Sequence, residues 1–201
     1  MWDQVKEDAT IEKTIAALKA NGIDAMAVAN GEAAKAKMVE MIPAGAEVMT
    51  MTSQTLEATG IAKEINESGR YASVRSKFAT MDPKTQKSEM NKLGAAPDWV
   101  TGSVHAVTED GRVVIVSATG SQLPAYAYGS SHVVWVVGAQ KIVKDMDAAM
   151  ARIKEYVFPL ENERAQKAYG MGSGINKKLV INKEVTPGRI TMIIVKEKLG
   201  F

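Results

Sequence analysis

Apolar positions along the chain change period repeatedly, and each change marks an element. Val5, Ala9, Ile11, Ile15 and Leu18 recur at near-helical spacing ahead of Asn21-Gly22, a C-cap pair, so residues 3–20 are predicted to form an amphipathic helix. Residues 23–28 read as a strand, 33–41 as a helix broken by Pro43-Ala44-Gly45, and 47–51 as a second short strand. A helix opening at Ser53 runs through Leu56 and Ile61 to Ile65, and residues 71–74 form a third extended piece. Asp82-Pro83 reads as a helix opening, because aspartate caps free amides and proline at the first helical position loses no needed hydrogen bond. That helix ends near Leu93-Gly94.

From Trp99 onward the pattern turns to β-branched runs separated by small hydroxyl residues and glycine. Residues 99–100, 104–108 and 113–116 are predicted strands, the last two joined by a hairpin turn at Glu109-Asp110-Gly111-Arg112. Val113–Val116 and Val133–Val137 are near-continuous apolar runs, as expected of strands buried on both faces. Met146, Ala149, Met150, Ile153 and Val157 keep the spacing of a helix laid on a sheet, with Pro159 closing it. A short helix over 161–169, a glycine-rich joint over 170–174 and two strands, 179–182 and 190–195, on either side of Pro187-Gly188 finish the chain. Alternating helices and strands with short connections predict an α/β domain spanning residues 1–201, with a mostly parallel sheet covered on both faces and an inserted β-hairpin.

Composition narrows the chemistry. The 201 residues are 46% hydrophobic and 24% charged with a formal charge of +2, values of a globular protein without the clustered basic face that a nucleic-acid partner requires. Cysteine is absent, which excludes disulfides, thiolate zinc sites, cysteine-held iron–sulfur clusters and a cysteine nucleophile. Two histidines, His105 and His132, do not make a metal site by themselves, so no metal is expected to be ligated by this chain. The N-terminus is acidic and amphipathic, unlike a secretory signal, and no apolar run nears the ~18 residues of a membrane span. A cytoplasmic protein without a membrane partner is the default expectation.

Candidate site residues fall where strands give way to helices. Thr52, Ser53, Gln54 and Thr55 offer hydroxyls and amides that either hold an anion or simply cap a helix. Thr119, Gly120, Ser121 and Gln122 follow the same logic, glycine letting the backbone approach a ligand closely. Gly102 and Ser103 follow another strand end, and the three loops converge if their strands are parallel neighbours. Lys141, after a glycine-bearing strand end, is either the positive charge for an anionic ligand or solvated surface. Arg70 and Arg75 are weaker candidates of the same kind. Glu57 and Glu109 read as helix and turn surface, the two histidines as structural or as acid–base groups, and Tyr126 and Tyr128 as ligand-stacking or packing aromatics. Gly170, Gly172 and Gly174 follow a helix, where a dinucleotide loop must follow a strand, and read as a hinge.

Several segments taken in order resemble the LUD domain, the lactate-utilisation family. They are Gly102-Ser103-Val104-His105-Ala106-Val107-Thr108-Glu109-Asp110-Gly111, the Thr119-Gly120 turn, Val136-Val137-Gly138-Ala139-Gln140-Lys141-Ile142-Val143, and the ending from Gly188-Arg189-Ile190 to Leu199-Gly200-Phe201. The resemblance implies a NagB/RpiA/CoA-transferase-like fold, a Rossmann-like three-layer sandwich. It also implies binding of a small anionic metabolite (a hydroxy acid, a sugar phosphate or a CoA derivative) in organic-acid utilisation. The alternative it implies is a non-catalytic subunit docking on a redox-protein partner in lactate oxidation; a homo-oligomer is a separate partner expectation. Two departures matter: Ser117, Ser121 and Gln122 stand where many relatives carry Asp and Asn-Arg, and Gly170 to Asn176 stand where some carry a cysteine-rich stretch.

Overall fold

Parallel pairing organises the molecule, and the computed structural model describes residues 2–201 of it. In chain order the first elements are α1 (Asp8–Ala20), β1 (Asp24–Val28), α2 (Gly31–Met41), β2 (Glu47–Thr50), α3 (Gln54–Ala58), α4 (Ile61–Glu67), β3 (Ala72–Ser73), α5 (Val74–Phe78) and α6 (Lys87–Ala95). The central strands are β4 (Trp99–Gly102), β5 (Ala106–Thr108), β6 (Val113–Ser117), β7 (His132–Gly138) and β8 (Ile142–Val143). The chain ends through α7 (Met146–Arg152), α8 (Phe158–Tyr169), β9 (Lys177–Ile181) and β10 (Ile190–Val195). Six strands form one sheet in the order β1-β10-β7-β4-β2-β3, and every pairing within it is parallel.

Strand alternation sorts the side chains of this sheet into two cores. Val134 and Val136 of β7, with Ile193 and Val195 of β10, pack under Met38 of α2 and under Leu56, Ile61 and Ile65 of α3 and α4. Val133, Trp135 and Val137 face the other way with Met192 and Ile194, meeting α1 through Ile11 and Leu18. The same core takes in Val107, Val113, Ile115 and Ile181, because the inserted hairpin does not join the parallel sheet. With β8 and β9 it makes a second, four-stranded sheet, β8-β5-β6-β9, packed on the first. The outer face of this small sheet is closed by Ala149 and Ile153 after Asp145 caps α7. The result is a Rossmann-like three-layer sandwich whose third layer is α1 plus a small sheet.

Four local expectations are corrected. The helix predicted from Ser53 to Ile65 is two helices, because Gly60 takes a left-handed conformation (φ 68°) between them. The extended piece at 71–74 shrinks to two paired residues, since the Ser73 hydroxyl accepts from the Ser76 amide and starts α5. Asp82-Pro83 opens a turn, and the helix waits until Lys87: the Asp82 carboxylate takes the Lys84 amide and the Thr85 hydroxyl, while Gln86 receives the Asp82 amide. Pro159 does not close its helix. A π-helical turn over Ile153–Val157 carries the chain into α8, so that Pro159, which has no amide to donate, falls in a first turn where none is needed.

Arg189, in the Gly-Arg-Ile segment ahead of β10, ties the sheet edge to the loop above it. Its guanidinium donates to the carbonyls of Ser130, Ala125 and Tyr126 and pairs with Glu184 at 2.7 Å, both side chains nearly buried. Those carbonyls belong to the π-helical turn Ala125–Gly129 and the residue after it; the Ala125 carbonyl also accepts the Ser130 amide.

Candidate functional site

Because β2, β4 and β7 are parallel neighbours, their C-terminal ends lie on one edge of the sheet, and the residues that follow them share it. A cavity of about 900 Å³ opens there, within the size range of small-molecule sites. Its floor is made by the residues after β2 and β4 and by Lys141, and one side by the loop after β6 of the small sheet. Helices α5, α6 and α8 supply the remaining wall.

Lys141 is the chemical centre of this floor. The chain after β7 runs through a single 3₁₀ turn, Ala139–Lys141, directly into β8, and this holds the lysine inside the protein at 2% exposure. Its Nζ donates to Thr55 Oγ1 and Ser103 Oγ, each at 3.1 Å. Both acceptors are neutral, and no carboxylate pairs with this amine among the described residues. A buried ammonium without a counter-charge is costly. Burial, and secondarily the positive Arg152, therefore pull its pKa from 10.5 down to about 7.

Arg152 lies behind His105 and is fully buried. It donates through Nη1 to the His105 carbonyl, while Nε and Nη2 have no partner among the described residues. The His105 ring lines the cavity and accepts the Val116 amide at Nδ1, which leaves the Nε2 position for its proton. Burial and then the nearby Lys141 and Arg152 charges hold its pKa down to about 3, so His105 stays neutral at physiological pH.

The charged side chains around the cavity are four cations, Arg75, Lys87, Lys141 and Arg164, against one carboxylate, Glu161. Glu161 is already taken by Arg164 of the same helix in a two-pronged pair at 2.7 Å. Arg75 anchors one nitrogen on the Thr50 carbonyl at 2.7 Å and pairs with no carboxylate. Cationic side chains therefore outnumber acidic ones in this wall, and Arg75 and Lys87 make no ion pair among the described residues.

A family model described as the LUD domain matches residues 11–195. The chain belongs to the LUD domain family. A search of curated proteins finds no match. Among solved structures, the LUD domain here is similar to a crystal structure of a DUF162 family protein from Deinococcus radiodurans. That likeness has 11% sequence identity and a TM-score of 0.57, and covers 96% of this chain and 99% of the other.

Within this LUD domain, Thr52, Ser53, Gln54, Thr55, Ser103, Thr119, Gly120, Ser121, Gln122 and Lys141 all line the one cavity, so the three loops do meet. Gly102 does not line it. A Cβ at that position would lie 1.8 Å from the Tyr126 hydroxyl, so this glycine serves packing beneath the floor. The Ser53 hydroxyl accepts the Leu56 amide as an ordinary N-cap, and Thr55 donates to the Leu199 carbonyl as well as accepting from Lys141. In the loop after β6, Ser117 accepts the Gly120 amide, and the Ser117 and Gln122 side chains bond each other at 2.9 Å. Gly120 holds φ 87° against the Lys177 stem.

Arg75 lines the cavity, whereas Arg70 lies away from it on the Val39 carbonyl and the Tyr71 ring. Glu57 is exposed, Glu109 pairs with Lys13, and His132 stacks on Trp99 at 4.0 Å. The two tyrosines divide: Tyr126 is buried against Trp135, and Tyr128 is exposed. The glycine joint is pinned where Ser173 donates to Asn162, and Gly172 to Gly174 border the cavity. Among the described residues no group of three or more His, Asp or Glu side chains could hold a metal, and no helix is long and apolar enough to cross a membrane. Lys87, Glu161 and Arg164 are wall residues that sequence reading missed, since nothing local distinguishes them from solvated helix surface.

Proposed function

We propose that this LUD domain binds a small anionic metabolite, of the class to which hydroxy acids, sugar phosphates and CoA derivatives belong, in organic-acid utilisation. The observation that carries this reading is the cationic wall. Arg75 and Lys87 face the cavity with no carboxylate ion-pair partner among the described residues, the one acidic side chain of the wall, Glu161, is occupied by Arg164, and Lys141 adds a hydrogen-bonding amine. The hydroxyls of Thr52, Ser103, Thr119 and Ser121 supply the neutral hydrogen-bonding groups that such ligands also need. A site of this composition disfavours cationic ligands, which would meet the like charges of Arg75 and Lys87.

The experiment is thermal unfolding of the purified protein against lactate, sugar phosphates, CoA esters and nucleotides. A ligand at a hundred times its Kd adds about 2.7 kcal/mol of stability, readily seen as a rise in Tm. The rise is expected for at least one of these anions and is expected to shrink in Arg75→Met and in Thr119→Tyr, which removes charge and fills the cavity respectively. Identical unfolding with and without every anion would refute the reading and leave the alternative of a subunit that docks on a redox partner.

A further inference from the structure

We propose that Lys141 is a covalent site, its amine condensing reversibly with the carbonyl of a small oxo acid to form a Schiff base. The inference rests on the anion-binding reading above and adds to it the reacting group and the carbonyl class of ligand.

The geometry around Nζ carries the argument. A tetrahedral amine has its Cε bond and three further positions, and the protein fills two of the three with Thr55 Oγ1 and Ser103 Oγ, each at 3.1 Å. In a neutral amine both N–H bonds are then satisfied and the lone pair takes the last position. In an ammonium the third N–H finds no acceptor among the described residues. The hydrogen-bond set therefore matches the nucleophilic form, in a residue that borders the cavity. Burial and the adjacent Arg152 favour the same form, with half of the side chains deprotonated near pH 7.

The neighbouring hydroxyls suit the proton transfers. Thr55 donates its own proton to the Leu199 carbonyl and can only receive from Lys141, which fixes the amine. The Ser103 proton has no acceptor among the described residues and is free to be given into the cavity. In the forward step the Nζ lone pair bonds to the carbonyl carbon. A nitrogen proton passes to Ser103 Oγ while the Ser103 proton passes to the former carbonyl oxygen, giving a carbinolamine. A second proton transfer and rupture of that C–O bond release one water and leave C=N, with no net oxidation or reduction.

The acid group of the ligand has a place beside this reaction. Arg75 is held on the Thr50 carbonyl at the end of β2, and Ser103 follows β4, the strand hydrogen-bonded to β2. Arg75, Ser103 and Lys141 all line the one cavity, so an acid group held by the guanidinium shares its space with the reacting amine.

The test is reductive trapping on the full-length protein. Glyoxylate, pyruvate or 2-oxobutyrate is added with sodium cyanoborohydride at pH 7.5, with lactate as the control that lacks a carbonyl, and peptide mapping locates the adduct. At neutral pH an ordinary lysine is deprotonated about a thousand-fold less often than one titrating near 7, so modification is expected to concentrate at Lys141. Lys141→Arg, which has no nucleophilic amine, is expected to lose the adduct. Because the wild-type map alone assigns the site, the result does not depend on that variant folding. Stabilisation by an oxo acid with no adduct, or adducts spread over exposed lysines, would overturn the covalent inference and leave anion binding intact. Neither adduct nor stabilisation by any anion of the wider panel would overturn both.

Discussion

Replacing Lys141 with methionine is expected to stabilise the protein near neutrality and to change how its stability depends on pH. Lys141 is buried, and its charged form meets two neutral hydroxyls and the repelling Arg152. A free-lysine pKa of 10.5 drawn down to about 7 corresponds to a cost on the order of 4 to 5 kcal/mol for holding the charged form in the fold. The sign follows from proton counting. Below about pH 7 both folded and unfolded chains carry the ammonium, and the fold bears the full cost. Between about 7 and 10.5 the unfolded chain holds a proton that the folded chain has released, so wild-type stability gains up to about 1.4 kcal/mol per pH unit from this group. Above 10.5 the cost has gone.

Lys141→Met removes this dependence and leaves the other groups in place. Thr55 keeps its bond to the Leu199 carbonyl, and Ser103 faces the cavity, so neither hydroxyl is stranded in a dry core. Urea unfolding of both proteins, followed by fluorescence of the buried Trp135 from pH 6 to 9.5, isolates the difference. His105, held near 3, titrates outside that window, and Arg152, near 10, begins to titrate only at its upper end. The advantage of the variant is expected to be largest at pH 6 and to shrink by about 3 kcal/mol by pH 9.5. Parallel curves across the range would refute the reasoning, since they would mean that Lys141 titrates alike in both states.

Gly102→Ala is expected to cost about 1 to 3 kcal/mol by overpacking against the Tyr126 hydroxyl, and adding Tyr126→Phe should recover part of it, a coupling that a double-mutant cycle in urea reads directly. Arg189→Ala is expected to lose at least about 3 kcal/mol, because it leaves the nearly buried Glu184 without its counter-charge and takes the guanidinium from the Ser130 and Tyr126 carbonyls; calorimetry should show a much larger loss than for Arg112→Ala, whose ion pair with Asp110 is half-exposed. Arg152→Met removes the positive charge that helps to depress Lys141, so the pH at half-maximal trapping or labelling of Lys141 is expected to rise.

The elements that reading the sequence placed well are those whose signal is local. Strands β7 and β10 are buried along almost their whole length, and their short, β-branched, near-continuous apolar runs bounded by turn residues read as buried strands. The elements it misplaced turn on competition between local rules. The apolar spacing of Leu56, Ile61 and Ile65 continues across Gly60, so periodicity joins two helices that one positive φ separates. Pro159 carries a stop signal for a continuous α-helix, but it follows a π-helical turn and falls at the start of α8. The second sheet was hidden because β9, read correctly as a strand, pairs with β6 through a register that no spacing along the chain reveals.

The site divides in the same way. Loop composition marked the hydroxyl and glycine positions, and the parallel topology then brought them together; the charge state of the floor depends on segments far apart in the chain. Lys141 meets Thr55 across 86 residues and Ser103 across 38. Its neighbourhood nevertheless held a signal, for it stands as the lone cation between Val136-Val137-Gly138-Ala139 and Ile142-Val143, all buried. A lysine with apolar residues on both sides and too few residues before the next strand to reach solvent must either find a carboxylate or give up its proton. Here Thr55 and Ser103 stand where a carboxylate would be, so the second outcome prevails, and the chemistry of the cavity follows from it.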